Sequence, residues 1–281
     1  VAYDDAHPSP RWYTTNLVSV PAPVLGSAAF NAQPRPLVIA GTYDAHRRLF
    51  QLLDSSQDQL QAYEIFVHYM GLAFGLRKPP QDELRQLDAA EQRRWRSSWH
   101  KLLQGWGMDS NGPSGAVLKG WVESRFGLVP DFHKAALGHF PSPAWVCYLQ
   151  EKAASRYNNN SIYQQLDLLY AYCQWTLRRL ALQRGTTARQ HLLLWRGTNQ
   201  CEEQVVSGRL RERRCTVRLN NLVSFSLSQE EASCFGDWVL EVQVPLCKVL
   251  VFPELLPGHV LRGEQEVLAL GGEYEVGAHY V

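Results

Sequence analysis

Apolar residues change their spacing near Gly185, and that change divides the predicted structure of the chain. Upstream they recur at the three- and four-residue intervals of helix faces. Leu49, Leu52 and Leu53 share one face, and Leu60, Tyr63, Ile65, Phe66, Tyr69 and Met70 continue it in a second segment that Pro79 and Pro80 stop. A charged, Trp-punctuated helix is predicted over 82–103, ending near Gly105, Trp106 and Gly107. Two more helices are predicted over 141–157 and 161–183. The second opens on a capping-box pattern, Ser161-x-x-Gln164, and carries Ile162, Leu166, Leu169, Trp175 and Leu180 inward. The proline-rich stretch through Pro36 has little periodicity and reads as an extended surface arm, with 16–21 as a short strand.

Downstream, short apolar runs alternate with turn residues at 191–195, 221–226, 238–244, 248–252, 266–270 and 274–276, which are strand lengths. Gly271 and Gly272 read as the turn between the last two. Helices first and strands later predict an α+β architecture. Residues 1–185 form an N-terminal arm and mainly helical region, and residues 186–281 a β-rich core carrying the chemistry, the two expected to make one compact unit.

Composition narrows the function classes. Hydrophobic residues make up 45% and charged residues 20%, which describes a globular chain rather than a disordered one. The 28 basic side chains against 27 acidic ones leave a net charge of +1, so no global field drives nucleic-acid or membrane binding. Arginine dominates the basic set, which suits a phosphate-bearing ligand and equally a genome rich in G and C. No apolar run reaches the roughly 20 residues of a membrane span, and residues 1–10 show no export pattern. The six cysteines stand singly and are expected to be reduced, as in a bacterial cytoplasm. Neither paired metal-ligand spacing nor a glycine-rich phosphate loop occurs.

Three features of the β-rich region carry candidate chemistry. Arg196 follows the run 191–195 and precedes Gly197; it either aims its guanidinium into a cleft to hold a phosphate or is solvated at a strand end. Ser224, Ser226 and Ser228 share one face of an extended strand, either facing solvent or requiring a polar partner. Glu264 and Glu266, if extended, face the same way with Cβ atoms roughly 7 Å apart. Two carboxylates so placed suit a reaction at a glycosidic carbon, one stabilising an oxocarbenium ion and the other handling the attacking group; a charged loop is the alternative. The basic run Arg209, Arg211, Arg213, Arg214 and Arg218 is either a solvated face or a docking surface for an acidic patch. The tryptophans, Trp95, Trp99, Trp106 and Trp121 among them, are assigned to core packing.

In this order the three features resemble the R-S-E group of mono-ADP-ribosyltransferases. Ala232 and Phe235 follow the serines as in that group, and 264–268 (EQEVL) is similar to its E-x-E-V-L element. Phe225 departs from the pattern, standing where the group usually has Thr. The likeness extends along the chain: 16–30 (NLVSVPAPVLGSAAF), 120–127 (GWVESRFG) and 194–199 (LWRGTN) resemble the dinitrogenase reductase ADP-ribosyltransferase family. The resemblance implies an ADP-ribosyltransferase fold, a helical N-terminal half packed on a split β core. It implies NAD+ as co-substrate, no metal, an arginine of dinitrogenase reductase as acceptor with reversible inactivation of nitrogenase, and control through a PII-type signalling protein. On this likeness Arg196 holds the NAD+ pyrophosphate, with Gly197, Ser224, Ser226, Phe235 and Glu266 completing the NAD+ site. Ser224 orients Glu266, Glu266 stabilises the ribose as nicotinamide leaves, and Glu264 orients the acceptor guanidinium and takes its proton. An arginine-directed transferase with another protein target, or an NAD glycohydrolase, would present the same motifs.

Overall fold

Side-chain caps and first-turn prolines decide where the helices begin. The computed structural model describes residues 16–76, 89–90, 97–199, 201–257 and 265–280. Its helices are α1 (Ala22–Leu25), α2 (Ala28–Ala32), α3 (Thr42–Ala45), α4 (Arg47–Asp54), α5 (Gln59–Phe74), α6 (Trp99–Met108), α7 (Pro113–Phe126), α8 (Pro143–Ala154), α9 (Asn160–Gln183) and α10 (Gln229–Ser233). Asp58 caps α5 by accepting from the Gln61 amide, and Ser142 does the same for α8 with Trp145. Pro113 and Pro143 sit in first turns, where the missing N–H costs nothing. The cap of α9 is Asn159, accepting from Ile162, and not the expected Ser161.

Three expectations for the helical region change. The described part of the proline-rich arm, 16–36, is not an extended strand: it bends through 17–20 and folds into α1 and α2, burying Val18, Leu25 and Phe30. Helix α6 begins at Trp99 after a turn at 97–98, so the helix expected from 82 is interrupted there, while its end at Met108 lies within a residue of the one expected; the part expected between 82 and 96 falls largely outside the described residues. Helix α7 went unpredicted because eleven of its fourteen residues are buried, so it shows no polar face and hence no period. Its buried Lys119 ammonium donates to Asn111 Oδ1 (3.0 Å) and the Phe132 carbonyl (3.1 Å) and contacts His133 Nδ1 (3.2 Å).

The strands are β1 (Phe132–His133) and β2 (Ala135–Ala136), a small pair, then β3 (His191–Thr198), β4 (Val205–Arg209), β5 (Arg214–Ser226), β6 (Trp238–Pro245), β7 (Val249–Val251) and β8 (Glu266–Tyr280). The last six form an antiparallel sheet ordered β4-β5-β3-β6-β8-β7, with β5 also paired along β8. Because β5 and β8 are long, each serves two neighbourhoods. The far half of β8 lies between β5 and β6, while its first residues lie between β5 and β7. The sheet splits where they diverge, and β3 meets the end of β5 again at Trp195 opposite Ser226.

Gly271 and Gly272 are therefore not a turn; 266–270 and 274–276 belong to one strand. The β5 register slips between Leu219 and Leu222 opposite these glycines, a bulge at which both strands bend. A side chain at 271 would meet the Asn220 carbonyl oxygen at 1.6 Å. At 272 the backbone has φ +105°, and a Cβ would lie 2.6 Å from the Gly26 oxygen. The Glu273 amide donates to that oxygen at 2.7 Å, tying α1 to the bulge.

One apolar cluster draws on both regions, including Phe66, Trp106, Trp121, Leu166 and Tyr170 from the helices and Val223, Leu240 and Leu268 from the sheet. Among the described residues no helix is long and apolar enough to cross a membrane.

Candidate active site

The cleft opens where β3, β5 and β8 converge against the carboxyl end of α6. Its volume is about 470 Å³, and its lining includes Arg196, Gly197, Ser224, Ser226, Phe235 and Glu266. That is the size of a small-molecule site. Six of the seven residues proposed from sequence thus gather in one place. Glu264 lies outside the described residues. Gln265 has a left-handed φ of +46°, so the extended run expected through Glu264 and Glu266 does not hold at its middle residue. Strand β8 starts at Glu266, opposite Ser226.

Arg196 sits within β3, paired across to Leu240, rather than at the strand end expected. Its Nη1 donates to the Ser224 carbonyl at 2.8 Å, which fixes the guanidinium against the next strand. Its Nε is buried with no hydrogen-bond partner among the described residues, as is the neighbouring Trp195 Nε1. Buried unpaired donors are costly, and a ligand with acceptor oxygens relieves that cost. Burial lowers the Arg196 pKa, against which the Glu266 carboxylate pulls upward.

Glu266 is buried, at 8% exposure. Ser224 Oγ donates to its Oε1 in a short hydrogen bond. A second donor comes from α6: Trp106 Nε1 lies 3.2 Å from Glu266 Oε1 and 3.1 Å from Ser224 Oγ. Trp106 is the site residue that the sequence analysis assigned to core packing. Its ring is in the core, and nothing in its sequence neighbourhood signals where its N–H points.

The other serines have structural duties. Ser226 Oγ accepts from the Ser228 amide at 3.0 Å and donates to Glu231 Oε2 at 3.3 Å, shaping the exit from β5. Ser228 is not on the strand at all; it caps α10 by accepting from the Glu231 amide. Phe225 packs edge-on against Tyr274 in the core, so the departure from Thr supplies an apolar contact. Gly197 permits α10 to close over β3, since a Cβ there would lie 1.9 Å from the Ala232 oxygen. The closure places Phe235, 60% exposed, at the lip of the cleft.

The basic run occupies the tip of the β4–β5 hairpin, at the opposite end of β5 from the cleft. Arg218 pairs with Glu273 at 2.8 Å, while Arg209, Arg211, Arg213 and Arg214 are exposed.

Comparison with known proteins shows which family the chain resembles. The family model "Dinitrogenase reductase ADP-ribosyltransferase (DRAT)" matches residues 15–278. The chain is 47% identical over 269 residues to the NAD(+)--dinitrogen-reductase ADP-D-ribosyltransferase of Rhodospirillum rubrum, covering 96% of each sequence. No solved structure matches the chain significantly.

Proposed function

Because the chain belongs to the dinitrogenase reductase ADP-ribosyltransferase family, we infer that it transfers ADP-ribose from NAD+ to an arginine of dinitrogenase reductase and releases nicotinamide. The observation that carries the reading is the convergence of Arg196, Ser224 and Glu266 in one cleft. Such a transfer breaks the bond between the nicotinamide ring nitrogen and the ribose, and nicotinamide leaves neutral with the bonding electrons. The positive charge remaining on the sugar is met by the Glu266 carboxylate, held in place by Ser224 before reaction so that little reorganisation is required. A guanidinium nitrogen of the target then attacks the sugar carbon and loses one proton.

Glu264 is the residue proposed to take that proton. A free guanidinium has a pKa above about 12, so attack needs a base at the nitrogen. Arg196 is proposed to hold the NAD+ pyrophosphate: its buried Nε, without a partner among the described residues, suits an anionic oxygen, and its planar fork suits phosphate geometry. Gly197 contributes by letting α10 close, and Phe235 by offering an apolar face at the lip. A PII-type signalling protein as regulator and a cytoplasmic setting complete the proposal; both rest on the family likeness.

The test is incubation with labelled NAD+ and purified dinitrogenase reductase. Label on an arginine of that protein, with matching nicotinamide release, is the expected result. Nicotinamide release without labelling of any acceptor would make the chain an NAD glycohydrolase instead.

A further inference from the structure

We propose that Trp106 is a positioning residue for the cleavage step, its indole N–H fixing the Glu266 carboxylate and the Ser224 hydroxyl in one geometry. The inference rests on the reading of the cleft as the NAD+ site and adds to it a contribution from the helical region. Buried indole N–H groups usually find partners, and several others here do so far from the cleft: Trp121 donates to Asp167 and Trp175 to Asp54, each at 2.8 Å. Trp106 differs in its acceptors. Its single N–H is shared between Ser224 Oγ at 3.1 Å and Glu266 Oε1 at 3.2 Å.

The three groups form a closed arrangement. Ser224 donates its proton to Glu266 and accepts from the indole; Glu266 Oε1 accepts from both. With either donor removed, the carboxylate gains rotational freedom that must be lost again in the transition state. The indole is itself fixed. It is 4% exposed, and its helix is pressed so closely on α7 that a Cβ at Gly105 would meet Ser114 Oγ at 2.2 Å. Beyond Trp106 the chain turns at Asp109, whose carboxylate accepts from the Asn111 amide at 2.8 Å, and Met108 and Asp109 continue the cleft wall. Helix α6 thus works as a strut whose end reaches the reacting carboxylate.

The experiment compares the full-length parent with Trp106→Phe, which keeps the ring and removes the N–H, and with Trp99→Phe as a packing control. Trp99 lies on the same helix against Phe66 and has its indole in the core. Nicotinamide release, with and without a small guanidine acceptor, is followed across pH, and NAD+ affinity is measured by calorimetry. Trp106→Phe should lower kcat about 10- to 100-fold, the worth of one hydrogen bond to a charged group, while the Kd for NAD+ changes only a few-fold. Losing a donor also favours the protonated carboxyl, so the acid limb of kcat should move to higher pH. The other charged groups of the cleft, Arg196 and Asp109, and Glu264 in the motif, are unaltered in the variant. Trp99→Phe should lower the melting temperature and leave the acid limb in place.

A second measurement needs no folded variant at this position. In the parent labelled with ¹⁵N-tryptophan, one indole N–H signal should follow the ionisation that Glu266→Gln abolishes. A Trp106→Phe enzyme with parental kcat and acid limb, or the absence of any indole signal linked to Glu266, overturns the positioning role. A parent that releases no nicotinamide from NAD+ overturns the functional reading and this inference with it.

Discussion

Arg196 is anchored by a carbonyl rather than a carboxylate, and this leaves its charge available. Nη1 is spent on the Ser224 oxygen, the Nε has no partner among the described residues, and burial weakens the hold on its proton while Glu266 restores part of it. A half-buried guanidinium so arranged gains most from a doubly acceptor-rich ligand such as a pyrophosphate. Arg196→Lys retains charge and loses the fork. NAD+ affinity should fall about 10- to 100-fold by calorimetry while the far-ultraviolet spectrum is unchanged. Undiminished affinity in the lysine variant would remove Arg196 from the NAD+ site.

At the scale of elements, the cleft depends on how closely α10 lies on β3. Gly197→Ala would press a methyl group into the Ala232 carbonyl, 1.9 Å away, and backbone cannot yield as a flexible side chain can. The expected result is a loss of about 1–3 kcal/mol in denaturation, with weaker NAD+ binding as Phe235 is displaced. Normal stability and binding together would show that the helix moves freely. What the sequence made legible follows the same division between local and long-range causes. The alternation in β6 and the one-sided apolar pattern of α5 announced those elements, because each buries one face. Helix α7 stayed hidden because it is buried all round, and β4 because its short run Val205–Arg209 is largely exposed and holds only two apolar residues before Ser207 and Gly208. Gly271 and Gly272 suggest a turn locally, but pairing with β5 through the bulge decides otherwise. Motif order singled out Arg196, Ser224 and Glu266, which the structure brings into one cleft. It could not place Trp106, whose role comes from the packing of α6 on α7 and is invisible within any local window.

At the scale of the whole molecule, two buried lysines link stability to pH. Burial pushes Lys248 down to about 7 and Lys119 to about 8. Lys248 Nζ donates to the Gly271 carbonyl at 3.3 Å and lies over the rings of Tyr274 and Phe30, joining the bulge to the helical region. In the unfolded chain a lysine titrates near 10.4, so unfolding takes up a proton between the two values. Stability therefore rises as pH rises from about 7 toward 10, and below about 7 the folded state bears the full cost of the buried ammonium. Urea denaturation at pH 7 and pH 9.5 should show the parent gaining more stability over that interval than Lys248→Met does. The difference should be on the order of 2 kcal/mol. Equal gains in both proteins would mean that Lys248 is charged in the folded state throughout.

The intact enzyme also offers the most direct test of the chemistry, since the two glutamates are proposed to act on different partners. Nicotinamide release is measured for the parent, Glu266→Gln and Glu264→Gln, each with and without a guanidine acceptor. On the proposed roles Glu266 serves the bond that breaks, so its amide should lose both transfer and hydrolysis by about 10²–10³-fold. Glu264 is proposed to serve only the acceptor, so its amide should lose transfer and keep the parent's slow hydrolysis of NAD+. Hydrolysis that survives in Glu266→Gln and disappears in Glu264→Gln would reverse the two roles, and normal transfer by both variants would contradict the account.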